Sequence, residues 1–94
     1  MARRVEIPCT VFEGMFPGEV QVEIKPLDQA PIYVFASSSS TSTDVPVTRD
    51  GVSGVMSARM IGEAGNKVIV DLPGEARPIG PRVHLLKDFV KIIY

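Results

Sequence analysis

Period-two alternation is the feature that most restricts what this chain can fold into. Val5, Ile7, Cys9 and Val11 fall on one side of an extended segment, with Arg4, Glu6 and Thr10 on the other. Val20, Val22 and Ile24 repeat the pattern against Gln21, Glu23 and Lys25, and Val68, Val70 and Leu72 repeat it around Ile69 and Asp71. Such alternation marks half-buried strands of an antiparallel sheet. Ile32-Tyr33-Val34-Phe35-Ala36 differs because both of its faces are apolar. A strand of that kind is central, or it sets one face against something other than solvent. Turn residues punctuate the runs at 14–18, 26–31, 62–66 and 73–81. Asp50-Gly51 is a favourable hairpin dipeptide ahead of a strand over 52–61, because both residues tolerate positive φ.

With 94 residues, 45% of them hydrophobic, the chain has enough apolar surface for one modest core. Six short strands in so small a domain curl most readily into a barrel, since closure removes exposed edges. The expectation is therefore a single all-β domain over 1–94, a five- or six-stranded antiparallel barrel of SH3-like or OB-like type. Residues 82–94 read as strand–turn–strand, pausing at Lys87-Asp88, on their β-branched and aromatic content. A helix from Gly80-Pro81, with Leu85, Leu86, Phe89, Val90 and Ile93 on one face, is the alternative. A short helix or 3-10 turn near the C-terminus is compatible with the strand reading. Ser37 to Thr43 is an unbroken run of Ser and Thr that offers no core anchor, which predicts a flexible loop over about 36–51.

A weak echo links the two halves. Val20-Gln21-Val22-Glu23-Ile24-Lys25-Pro26 resembles Val68-Ile69-Val70-Asp71-Leu72-Pro73, allowing one gap. Pro31-Ile32-Tyr33-Val34 then matches Pro81-Arg82-Val83-His84. Two tandem three-stranded meanders would give this arrangement, and so would consecutive hairpins with ordinary turn chemistry.

Several chemistries lack their residues. A structural zinc site needs about four Cys or His ligands, and the chain has one Cys and one His. Cys9 lies on the inward side of its strand and reads as a small buried hydrophobe, and His84 as a surface histidine. No Gly-x-Ser-x-Gly elbow accompanies the serine run, and a hydroxyl on a loose loop is not held within reach of a base. Gly62-Glu63-Ala64-Gly65 has the spacing of an RNA-binding G-x-x-G loop, yet it joins strands and contains an acid. The chain is thus expected to be no enzyme and to hold no cofactor or metal.

Ten Lys and Arg against eleven Asp and Glu give a net charge of −1, which argues against a protein devoted to phosphate neutralisation. Basic residues gather late (Arg77, Arg82, Lys87, Lys91) and acids early (Glu6, Glu13, Glu19, Glu23, Asp28). These charges pair within the fold if the first and last strands are neighbours. No apolar run approaches a membrane span of ~20 residues. Met1-Ala2-Arg3-Arg4 is not followed by the apolar stretch of an export signal, and a lone cysteine suits a reducing compartment, so the expectation is cytoplasmic.

What remains is a binding or assembly module acting through protein–protein contacts, with self-association or a protein partner expected. Nucleic-acid binding by an OB-like or SH3-like domain is the alternative. Tyr33 and Phe35 oppose Ile32 and Val34, and Met56 and Met60 oppose Val55 and Ile61, so a barrel with one interior turns one of these sets outward. Tyr33, Phe35, Met56 and Met60 are the candidate partner-binding residues.

Overall fold

Two long strands organise the molecule, β1 (Arg3–Glu13) and β5 (Val52–Ala64), which run antiparallel along nearly their full length. The computed structural model describes residues 3–73 and 82–94. β2 (Glu19–Ile24) and β3 (Ile32–Ser37) extend the sheet beyond β1, and β6 (Lys67–Asp71) and β7 (Arg82–Leu86) extend it beyond β5. The order is β3-β2-β1-β5-β6-β7, all antiparallel. The sheet curls into a half-barrel, so the expected all-β barrel architecture is what the sequence builds.

The two halves repeat each other, and the repeat goes beyond the meander legible in the sequence. β3 runs into a 3-10 turn at Ser38–Ser40 and then a short strand, β4 (Thr41–Thr43). β7 runs into a 3-10 turn at Lys87–Phe89 and then a short strand, β8 (Lys91–Ile93). Each short strand leaves its own half and pairs with the long strand of the other. β4 sets Thr41, Ser42 and Thr43 against Met56, Val55 and Gly54 of β5. β8 sets Lys91, Ile92 and Ile93 against Glu6, Val5 and Arg4 of β1. The turns repeat too: Ser38 N–H donates to the Gly18 carbonyl at 2.8 Å, and Lys87 N–H donates to the Asn66 carbonyl at 2.9 Å. An approximate two-fold thus relates residues 3–43 to residues 52–93, with their last strands exchanged.

Each long strand therefore changes neighbours along one edge. On β1, residues 4–6 meet β8 and residues 10–13 meet β2. Pro8 falls in the interval between them. Gly14 N–H donates to Glu19, which fixes the phase of β1 and aims the Pro8 nitrogen at that unpaired gap. A proline in the middle of a central strand thus removes no ladder bond.

The core lies on the concave face. Val5, Ile7 and Val11 of β1, Val20, Val22 and Ile24 of β2, Val68 and Val70 of β6, and Leu72 and Leu85 are buried. These are the inward positions of the alternation, as expected. Burying a side chain of this size contributes ~1.5–3 kcal/mol. β5 continues past 61 to Ala64, a bulge between Met60 and Gly62 shifts its register against β6 by one residue, and Gly65, at φ +65°, makes a tight turn into β6. Gly51 adopts φ +89° in the turn after Thr48, as the Asp50-Gly51 dipeptide predicts.

One expectation is corrected and two alternatives are decided. The Ser/Thr run is not an open loop over 36–51. Ser37 ends β3 and caps the 3-10 turn through its Oγ, and Thr41–Thr43 are ladder residues. The run lacks core anchors, but backbone pairing with β5 supplies the order that its side chains do not. β3 is an edge strand, pairing only with β2 among the described residues, rather than a central one. Residues 82–94 form the expected strand–turn–strand, with a 3-10 turn at Lys87–Phe89, and not the alternative helix. Pairing of β8 with β1 takes the backbone groups that a helix would have bonded internally. The Pro/Gly-rich segment expected as a loop over 73–81 lies outside the described residues beyond Pro73.

Candidate functional site

The residues singled out from the alternation separate. Met56 is fully buried and Met60 is 8% exposed, both within the concave core. Tyr33 is 59% exposed and Phe35 47% exposed on the convex face. The four do not form one surface. The methionines face inward because their partners across the β1–β5 ladder, Ile7 and Arg3, continue the inward phase set by Val5. A solvent-facing methionine surface is accordingly excluded, and Tyr33 and Phe35 remain as the exposed pair.

These two residues sit at the free end of the sheet. The Ser38–Gly18 bond fixes the phase of the β2–β3 ladder. Counting from it, Val34 and Ala36 turn their N–H and C=O groups toward β2, and Tyr33 and Phe35 turn theirs off the edge. Tyr33 stands opposite Glu23 in the closer type of cross-strand pair. Its hydroxyl donates to Glu23 Oε2 at 2.7 Å. That hydrogen bond pushes the phenol above its usual pKa of 10, with slight desolvation and the Glu23 charge adding to it. Phe35 stands opposite Gln21, and Gln21 opposite Phe12 of β1, so a Phe–Gln–Phe row crosses the three strands. Exposed Met15 and Phe16 at the β1–β2 turn lie at the C-terminal end of β3, where Gly18 meets Ser38. Sequence reading missed Met15 and Phe16. Their signal was present as two large apolar residues inside a Gly/Pro turn.

The equivalent edge, β7, is built differently. Arg82 takes the place of Tyr33 and donates through Nε to Asp71 Oδ1 at 2.9 Å, the counterpart of the Tyr33–Glu23 bond. His84 takes the place of Phe35. Its carbonyl, directed off the edge, already accepts a 2.6 Å bond from Gln29 Nε2. Lys67 pairs with Asp28 at 2.9 Å, tying the β2–β3 connection to the second half.

Early acids and late bases meet in part. Lys91 lies opposite Glu6, while Arg82 and Lys87 pair with Asp71 and Glu63 of their own half. Arg77 lies outside the described residues. Cys9 is half-buried and packs against the core, and burial pushes its thiol up to about 11. That is an unreactive thiol at neutral pH. Among the described residues, no three His, Cys, Asp or Glu side chains converge as a metal site would require. No helix among them is long and apolar enough to cross a membrane.

No protein-family model, no curated protein and no solved structure matches this chain.

Proposed function

We propose that this chain is a non-enzymatic binding or assembly module that makes protein–protein contacts through the outer side of β3. One observation carries the reading: Tyr33 and Phe35 stand exposed together on a strand whose outward backbone groups have no partner among the described residues. Natural sheets blunt an edge with charge, proline or a cover. β3 has no charged residue and no proline between Ile32 and Ser37. Aromatic residues at such a position suit recognition, because they bury large area for little side-chain entropy. A cytoplasmic setting belongs to this proposal and is supported by the single, unreactive thiol.

Nucleic-acid binding is the second reading, favoured by Arg4 standing directly opposite Arg59 on the convex face. Like charges in that position are destabilising unless something offsets them. Binding of bases needs aromatic platforms beside such charge. Here Tyr33 aligns with Glu23 and Thr10, six residues along β1 from Arg4, which is ~20 Å away at strand spacing. Protein contact therefore ranks first.

Immobilised wild type, Phe35→Lys and His84→Lys, each exposed to a native extract, test the reading. Partners are expected on wild type and His84→Lys and lost from Phe35→Lys. Identical partner sets on all three would overturn it.

A further inference from the structure

We infer that the occupant of the β3 edge is a second copy of this chain, docked β3 to β3 across a two-fold axis so that two half-barrels share one continuous sheet. The inference rests on the reading of Tyr33 and Phe35 as a contact surface and names its partner. Charge supports it first. An isologous contact brings the same short stretch of both copies together around the axis, so an edge that carries charge of one sign repels its own copy. Ile32–Ser37 carries no charged residue. β7 does, and β7-to-β7 contact would bring Arg82 and His84 of the two copies together.

A head-to-tail contact, β3 of one copy on β7 of the next, meets a different obstacle. The outward carbonyl of His84 is already taken by Gln29 at 2.6 Å, and Arg82 is turned back to Asp71. A side chain of the molecule thus takes an outward backbone group on one of its two equivalent edges, and no side chain of the described residues does so on the other.

Antiparallel pairing also suits the side chains. The backbone groups of Tyr33 and Phe35 both point outward, so a register placing Tyr33 opposite the second copy's Phe35 satisfies both residues and forms two aromatic cross-strand pairs. The same register brings Val34 against its own copy on the concave face and so continues the apolar row of Val34 and Ala36.

Sedimentation velocity over a concentration series, on wild type, Phe35→Lys and His84→Lys, tests this. Phe35 lies outside the core, so the lysine variant keeps its fold, and its circular dichroism checks that. Wild type and His84→Lys should form a dimer, and Phe35→Lys should raise the dissociation constant roughly tenfold or more. A wild type that stays monomeric at every concentration overturns the inference. So does a dimer that His84→Lys weakens and Phe35→Lys does not. A monomer whose extract partners still depend on Phe35 overturns the second copy alone. A monomer with no such partners removes the contact reading as well.

Discussion

In the first half Tyr33 holds Glu23 and Phe35 lies bare; in the second Arg82 holds Asp71 and His84 lends its carbonyl to Gln29. The ladders beneath these residues have the same phase, and the same backbone bond starts each of them. The comparison teaches where the fold is specified. Inward positions keep their apolar character in both halves: Val20, Val22 and Ile24 in one, Val68, Val70 and Leu72 in the other. Outward positions are under no such restriction, and there one half has become aromatic and bare while the other is charged and capped. Architecture is shared, and contact chemistry is not.

The comparison is broken most strongly inside the core. Leu85 and Ala36 occupy equivalent inward positions, both essentially inaccessible. Leu85→Ala should cost ~2–5 kcal/mol, because the lost contacts are compounded by a cavity. Ala36→Leu should cost ~1–3 kcal/mol through overpacking. Urea unfolding of both variants measures the difference, and equal costs would mean that the two sites are not packed as described.

The exchanged strands offer the next comparison. Val5 meets Ile92 of β8, whereas Gly54 meets Thr43 of β4 at the equivalent crossing. A Cβ on Gly54 would stand 2.6 Å from the Ser42 carbonyl oxygen and 2.7 Å from Thr43 Cγ2. Gly54→Ala should therefore destabilise by ~1–3 kcal/mol as β4 is pushed from the sheet. Loss of amide protection should be concentrated at 41–43. A neutral Gly54→Ala would show that β4 does not pack there.

Cys9 and Ala58 are a further equivalent pair, and exchanging one for the other should matter little. Cys9→Ala should cost below ~1.5 kcal/mol. With the Cys9 thiol pushed up to about 11, alkylation by iodoacetamide at neutral pH should be slow in the folded chain and fast in urea. Equal rates in both states would contradict the burial.

The smallest effect concerns the paired cross-strand bonds. The raised Tyr33 pKa favours the neutral phenol in the folded chain. Its contribution is therefore present at neutral pH and is lost as the pH rises through the folded-state value, above the usual 10. Glu23→Gln should lower the Tyr33 midpoint in a tyrosinate absorbance titration, whereas Asp71→Asn should leave it unmoved.

Strands were legible wherever period-two alternation had a polar side, as in β1, β2 and β6. β3 misled because aromatics on its convex side look the same in sequence whether they face a core or a partner. The methionines misled for a related reason. Met56 and Met60 could be assigned to a face only relative to Val55 and Ile61, and which face was inward depended on the register with β1. The Ser/Thr run carried no signal for β4, since three residues held by backbone pairing have no hydrophobic pattern. The repeat showed in the meanders and not in the exchange of β4 and β8, because strand exchange is a fact about pairing partners. The candidate site was half legible: Tyr33 and Phe35 from alternation, Met15 and Phe16 only once the β1–β2 turn was placed beside Ser38.

Residue-resolved amide exchange at low and high protein concentration tests the central claim most directly, that two equivalent half-sheets end in one capped edge and one open edge. In dilute solution the amides of Val34 and Ala36, directed at β2, should exchange slowly, and those of Tyr33 and Phe35 rapidly, with the latter two gaining protection as concentration rises. Protection of Tyr33 and Phe35 in dilute monomer, or its absence at Val34 and Ala36, would contradict the account.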